Sequence, residues 1–459
     1  MKTMEIARLL TWKTMVLFIV LAVMCKSVAA QDLNTSKLDE LLTYLEDRNE
    51  AMGSLAISKN GKLLYARSIG YRSVNNDKKI PADRDTKYRI WSITKIFTAT
   101  MILQLIEEGN LKLETTLDQF FPRIANADSI TILHMLNHKS GIHDFTDPGP
   151  ENSSSPDSQT QARMVDLISM FKPDFRPGER FQYSNSNFLL LGYIVEKLDE
   201  VTYSAALRNR ISSRIGLSDT YYGLDALRSI ENKAFTYRLQ EGQWIAVNEG
   251  DFSAPVPGGA GSIVSTPSDM VKFIESLFSG RLITENSLAQ MTNISEFYGL
   301  GIHLVHSQSS AGFGHGGGYL GSYSNLAYYP QDRLAIAYCT NGQVYEMDKI
   351  LYHVLQICYD KSYVLPFNRP SIQLSKNILQ KYAGIYETPK FLLTVTMEGN
   401  HLTAQPAGQQ KSTLAAFAEN GFFTQEFNIE ITFGSDKTGK TDSVFIRQGD
   451  RKMAGKKIK

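Results

Sequence analysis

The chain has 459 residues, 42% of them hydrophobic, which is enough to bury a large core in more than one domain. Charged residues make up 21% and the formal net charge is +1, so nothing in the composition points to a nucleic-acid partner or to steering toward acidic surfaces.

The first element is not part of a fold. Lys2, Arg8 and Lys13 precede an apolar run from Met15 to Cys25, and Lys26-Ser27-Val28-Ala29-Ala30 follows. A basic start, a short apolar stretch and a small-residue site form the pattern of an export leader, here with cleavage expected after Ala30. The run is short for a bilayer span, so no stable transmembrane anchor is expected. A lipoprotein site at Cys25 would follow Met24, a poor fit to the small residue required there. A secreted or periplasmic protein is the expectation. Removing residues 1–30 takes away four Lys/Arg and Glu5, turns the formal charge to −2, and leaves Cys339 and Cys358 as the cysteines. They suit one disulfide in an oxidising compartment, or equally two buried thiols. The sequons at Asn34, Asn152 and Asn293 matter only in a eukaryotic secretory pathway.

"SLAIS" and "LLYARSIGY" flank Lys59-Asn60-Gly61-Lys62 and predict a hairpin over 54–72 with a tight Asn-Gly turn. From Trp91 to about Gly109 the pattern is helical, with Ile93, Phe97, Met101 and Leu105 at steps of four. Residues 130–250 alternate helical stretches with polar loops. Thr146–Gln161, rich in Ser, Pro and Asp, reads as a mobile surface segment. Strand patterns return at 298–305, 323–330 and 333–341, and a helix is expected at about 345–361. Strands from both ends of this region imply one sheet with an α-rich insertion between them. Residues 366–370 read as a linker. A short helix and several β-like runs follow, from "YAGIYET" to "SVFIRQ", and predict a small antiparallel β domain over 371–459. Phe391, Phe422 and Phe423 are read as its core.

Candidate chemistry begins at "RIWSITKIFTAT", residues 89–100. A serine hydroxyl needs a base within reach to act as a nucleophile. On a helix, residues i and i+3 share a face, so Ser92 and Lys95 can meet. Apolar neighbours would desolvate Lys95 and lower its pKa, making it a usable proton acceptor. The same S-x-x-K letters recur at Ser169–Lys172, where Pro173 biases Lys172 out of helical geometry. The alternatives are less supported. His134 and His138 have a ligand-like spacing with His143 and Asp144 nearby, but the glutamate of H-E-x-x-H is missing. No G-x-S-x-G occurs.

Residues 40–360 resemble the serine β-lactamase-like hydrolases, and more closely the branch with class C β-lactamases, D-stereospecific peptidases and related esterases. The resemblance rests on ordered blocks: Ser92–Lys95, "LKLETTLDQFFP" (111–122), "LNHKSGI" (136–142), "PGERFQYSN" (177–185) followed by "LLLG", "GGAGSIVSTPSD" (258–269) and "GHGGGYLG" (314–321). It implies an α/β fold with an antiparallel sheet flanked by helices. It implies Ser92 as nucleophile, with Lys95 and Tyr183 taking and passing the proton, and a Tyr183 phenol whose pKa is lowered by the adjacent ammonium. Asn185 would bind a substrate carbonyl, and the backbone N–H groups of Ser92 and Gly318 would form the oxyanion hole. A second Tyr-Ser-Asn, at 323–325, lies on an expected strand. The literal Lys437-Thr438-Gly439 lies in the β domain and reads as a hairpin tip. The positional equivalent of that motif is His315-Gly316-Gly317, with Gly317 allowing close approach of substrate to backbone. His315 in place of a permanent cation weakens recognition of a substrate carboxylate. It favours ester, amide or aminopeptidase chemistry over β-lactamase or D-alanyl-D-alanine carboxypeptidase activity. The implied partner is a small-molecule or peptide substrate, with no cofactor or metal. A ligand-binding or scaffold protein on the same fold is the reading of a different class.

Overall fold

The structure is a computed structural model that describes residues 33–75, 78–147, 160–223, 231–247, 258–306, 311–319, 321–361, 371–424, 429–448 and 451–459. The expected leader, the sequon at Asn152, the linker at 366–370 and most of the 146–161 segment lie outside the described residues.

The elements that position the site are, in chain order, α1 (Thr35–Asp47), β1 (Ala51–Lys59), β2 (Lys62–Ile69), α2 (Thr94–Glu107), α3 (Asn185–Asp199), α4 (Pro267–Phe278), β3 (His303–His306), β4 (Ala311–Tyr319), β5 (Ser322–Tyr329), β6 (Leu334–Gln343) and α5 (Met347–Cys358). The β1–β2 hairpin turns through Asn60 (φ 56) and Gly61 (φ 75), two left-handed residues whose twist suits a tight hairpin. The sheet runs β3-β4-β5-β6-β1-β2, and each neighbouring pair is antiparallel. β1 therefore pairs with the late strand β6, Ala51 opposite Gln343 and Lys59 opposite Leu334. That joins both ends of this region in one sheet.

Both faces of the sheet are covered, which is why β1 and β6 are buried at almost every position rather than at alternate ones. On one face Ile57, Ile336 and Tyr338 pack with Leu38, Leu41, Leu42 and Leu45 of α1 and with Ile350 and Val354 of α5. On the other, Ala56, Ala337 and Cys339 meet the helices of the insertion. Cys339 and Cys358 belong to these opposite packing clusters, and both are free thiols rather than a disulfide. Helix α2 is buried on all sides from Thr94 to Leu105, so it is the axis of the insertion rather than a surface helix. Helix α4 starts at Thr266, whose hydroxyl accepts from Asp269 N at 3.2 Å, with Pro267 in the first turn. The "STPSD" part of the glycine-rich block is thus a helix start.

The C-terminal region holds a helix at Lys376–Tyr382 and eight strands: β7 (Gly384–Glu387), β8 (Leu392–Glu398), β9 (His401–Pro406), β10 (Ser412–Ala418), β11 (Gly421–Thr424), β12 (Ile429–Ser435), β13 (Thr441–Gln448) and β14 (Arg451–Lys457). They close into an antiparallel barrel, because β14 pairs back onto β7. Tyr386, Phe422 and Phe433 fill its interior, and Phe391 packs against that core. Lys437–Gly439 is the β12–β13 turn, where Asp436 accepts from Thr438 N at 2.8 Å.

Candidate active site

Ser92 sits in a 3₁₀ turn, Trp91–Ile93, that leads directly into α2. Trp91 has φ 49, a left-handed conformation that is strained for a large side chain. It is held from several sides. Its Nε1 donates to Ser322 Oγ at 3.3 Å, the Arg89 guanidinium lies 5.4 Å over its ring, and Tyr319 packs at 5.8 Å.

Lys95 is one helical turn further on and has no exposed surface. Its Nζ reaches Ser92 Oγ at 3.1 Å, Asn185 Oδ1 at 2.8 Å and the Ala260 carbonyl at 2.8 Å. Burial pushes its pKa down to about 7, partly opposed by the charge of Asp144. The Ala260 carbonyl arrives because two glycines let a turn lie against α3. A Cβ on Gly259 would stand 2.7 Å from Phe188 O and 3.0 Å from Gly192 Cα.

Tyr183 and Asn185 come from the loop that enters α3, with Ser184 at the N-cap position and Asn185 as the first helical residue. The Tyr183 ring lies 4.8 Å from Lys95 Nζ, and Ser92 is the neighbour that favours the phenol's ionised form. The expected lowering of its pKa is corrected here. Burial raises it, the neighbouring Ser92 only partly offsets this, and the nearby Asp144 carboxylate adds to the rise. A lysine that is itself half-deprotonated near pH 7 provides little positive field to stabilise a phenolate. Asn185 is also busier than expected. Its Nδ2 donates to Asp144 Oδ2 at 3.0 Å and Thr146 Oγ1 at 3.2 Å, while its Oδ1 faces Lys95. In this arrangement both amide hydrogens are taken, and the amide oxygen faces the lysine.

Strand β4 carries the glycine run against the nucleophile. A Cβ on Gly317 would lie 2.7 Å from each of Ile90 O, Ser92 N and Trp91 Cβ, so only glycine allows this approach. Gly318 follows on the same strand. His315 lies on the same strand. It is 4% exposed, its Nδ1 lies 2.5 Å from the Gly316 carbonyl, and its Nε2 lies 3.0 Å from the Tyr298 hydroxyl. Burial holds it neutral, well below the ordinary histidine range. Both ring nitrogens are hydrogen-bonded within the protein.

The look-alike motifs separate in space. The helix containing Ser169 ends at Met170, Phe171 is extended, and Ser169 Oγ donates to Asp166 O at 2.7 Å, so Ser169 and Lys172 share no helical turn. Tyr323–Asn325 is part of β5. The three histidines of 134–143 each have separate work. His134 Nδ1 accepts from Thr131 N at 3.3 Å in a helix cap. His138 Nδ1 accepts from Ser184 N at 3.1 Å. His143 bridges Asp174 at 2.9 Å and the Asp147 carbonyl at 2.8 Å. Among the described residues no group of three His, Cys, Asp or Glu is gathered to hold a metal. Sequence reasoning missed three contributors: Asp144 behind Asn185, Tyr298 behind His315, and His303 beside the glycine strand. Of these, Asp144 stands two residues past the "LNHKSGI" block and was noticed only as a neighbour of His143; the other two are brought in by the loop and strand that precede β4.

A family model described as Beta-lactamase matches residues 39–357. Penicillin-binding protein 4* of Bacillus subtilis (strain 168) is 24% identical over 453 residues, which are 91% of this chain and 97% of that one. Protein flp of Staphylococcus aureus (strain NCTC 8325 / PS 47) is 33% identical over 197 residues, 41% of this chain and 38% of its own length. Among solved structures, D-amino acid amidase from Ochrobactrum anthropi SV3, complexed with L-phenylalanine amide, matches with a TM-score of 0.61 and 27% identity, covering 71% of this chain and 99% of that one. The octameric penicillin-binding protein homologue from Pyrococcus abyssi matches 92% of this chain and 100% of its own, with a TM-score of 0.61 and 23% identity, a likeness of fold.

Proposed function

The chain belongs to the β-lactamase family of serine hydrolases, which act on ester or amide substrates through a serine, and from that premise we propose that Ser92 is the nucleophile and neutral Lys95 its base. The observation that carries the assignment is the set of partners around Lys95 Nζ. A free amine has two hydrogens and one lone pair. The Asn185 and Ala260 carbonyl oxygens can only accept, so they take the two hydrogens and leave the lone pair to the Ser92 hydroxyl. With a pKa of about 7 the amine is available at neutral pH.

Ser92 attacks the substrate carbonyl as its proton passes to Lys95. The N–H groups of Ser92 and Gly318 receive the oxyanion, and Tyr183, a neutral phenol, hands its proton to the leaving group as it takes up the one Lys95 received from Ser92, so phenol and amine both end as they began. Water then releases the acyl group. Amides of D-amino acids are the proposed substrate class, supported by the likeness to D-amino acid amidase and by the absence of a cation from the His315 position. Acylation by β-lactams is a second reading, supported by the likeness to Penicillin-binding protein 4*. The leader pattern in residues 1–30 supports export; a mature N-terminus at Met1 in the native host would end that part of the proposal.

A fluorophosphonate probe tests the central assignment. Wild-type protein should be labelled on Ser92 and Ser92→Ala should not. A folded wild type that stays unlabelled would point to a binding protein instead. Rapid turnover of a chromogenic cephalosporin, with D-amino-acid amides untouched, would move the substrate to β-lactams.

A further inference from the structure

The strand that carries the oxyanion donor has lost its neighbour where it matters most. The β3–β4 ladder ends at His303 opposite Gly314, while β4 runs on to Tyr319. Peptide groups of alternate residues in a strand point the same way. Gly314, Gly316 and Gly318 therefore all turn their N–H groups toward the β3 side, and past Gly314 that side is unladdered among the described residues. This opening is what leaves Gly318 N–H available to an oxyanion. It also leaves a run of three glycines, the residue type with the greatest backbone freedom, without strand partners on that edge.

Two imidazoles fill the gap at Gly316. Its N–H donates to His303 Nε2 at 3.4 Å, and its carbonyl lies 2.5 Å from His315 Nδ1. The tautomers follow from the partners. His303 Nδ1 lies 3.2 Å from the Leu304 carbonyl, which can only accept, so Nδ1 carries the hydrogen and Nε2 is the acceptor. His315 Nδ1 donates to the Gly316 carbonyl, and its Nε2 accepts from Tyr298. The rings stand 4.9 Å apart. A neutral imidazole offers one donor and one acceptor, as a peptide group of a neighbouring strand would.

We propose that His303 is a positioning residue that acts through Gly316, standing in for the missing strand partner so that the Gly318 N–H is held at the oxyanion position. The role rests on the reading of Ser92 as nucleophile, but the pinning of the strand can be observed without turnover. The next residue, Gly317, lies so close to the nucleophile that a Cβ on it would stand 2.7 Å from Ser92 N, so slack at Gly316 is felt at the nucleophile.

The test compares wild type, His303→Leu, His303→Ala and His303→Gln, each checked by circular dichroism and thermal midpoint. Glutamine keeps a carbonyl oxygen near the position of imidazole Nε2; leucine and alanine keep no acceptor. Amide hydrogen exchange over residues 311–319 should speed up in the leucine and alanine variants and stay near wild type in the glutamine variant. Labelling of Ser92 by a fluorophosphonate should slow about 10- to 100-fold in the first two, the range typical of lost supporting hydrogen bonds. Affinity for phenylboronic acid, which becomes tetrahedral on the serine, should fall by a similar factor, and glutamine should restore both. Unchanged exchange and labelling in a folded leucine or alanine variant would overturn the proposal, as would a glutamine variant that falls as far as leucine. If wild type itself is not labelled, the serine-hydrolase reading fails, and the exchange comparison still decides whether His303 pins the strand.

Discussion

At the scale of single residues, the question is what a lysine does inside an apolar helix. Burial alone would drive it neutral, and Asp144 opposes this only in part. The result is a group balanced near pH 7, which is where a general base is most useful. Its lowered pKa gives the sign directly. Below about 7 the ammonium has no lone pair and above it the amine does, so Ser92 acylation should rise with pH through about 7 and then level off. A rate of fluorophosphonate labelling that stays flat from pH 6 to 8 would remove Lys95 from the base role. Lys95→Arg keeps the charge permanently and should slow labelling by about 10²-fold or more. The spacing of Ser92 and Lys95 was legible in the sequence because a helix fixes the i, i+3 relation. The protonation of Tyr183 was not, because a pKa depends on neighbours that come from Asp144 and from packing.

At the scale of elements, glycine decides how near two segments can lie. The hairpin turn at Asn60-Gly61 and the start of α2 were readable, because turn chemistry and periodicity are local. Strand β4 is different. Its sequence, "AGFGHGGGY", has little β propensity and is a strand because β5 pairs with it along its length, from Phe313 opposite Tyr328 to Tyr319 opposite Ser322. Gly317 is where that strand touches the nucleophile. Gly317→Ala should leave far-UV circular dichroism intact while its Cβ, 2.7 Å from Ser92 N, forces the strand and the serine apart. Labelling should fall by about 10²-fold, comparable to loss of one oxyanion donor. Wild-type labelling in this variant would mean that the strand has slack the geometry denies.

At the scale of the whole molecule, histidine burial sets how the fold responds to acid. His138, His303, His315 and His353 are all held neutral by burial, His353 down to about 4. His143 runs the other way: burial lowers it, but its bonds to Asp174 and Asp147 raise it on balance. As pH falls below about 6.5 the unfolded chain takes up protons that the folded chain refuses, so stability should decline with falling pH. Each such proton contributes a slope of about 1.4 kcal/mol per pH unit. Urea midpoints between pH 7 and pH 5 check this, and a midpoint that rises toward pH 5 would contradict it. Among the described residues no helix is long and apolar enough to cross a membrane. By itself the sequence determined what local periodicity and ordered motifs can carry: a sheet built from distant strands, a helical insertion, a separate β region, and the candidates Ser92, Lys95 and Tyr183. The tertiary structure decided the rest. It closed the C-terminal strands into a barrel, placed the two cysteines in opposite packing clusters, and turned Asn185 toward Lys95. It also buried His315 beneath the glycine strand, with His303 beside it. These outcomes depend on which surfaces meet across hundreds of residues. Burial, hydrogen-bond partners and protonation are properties of that meeting rather than of any one stretch of chain.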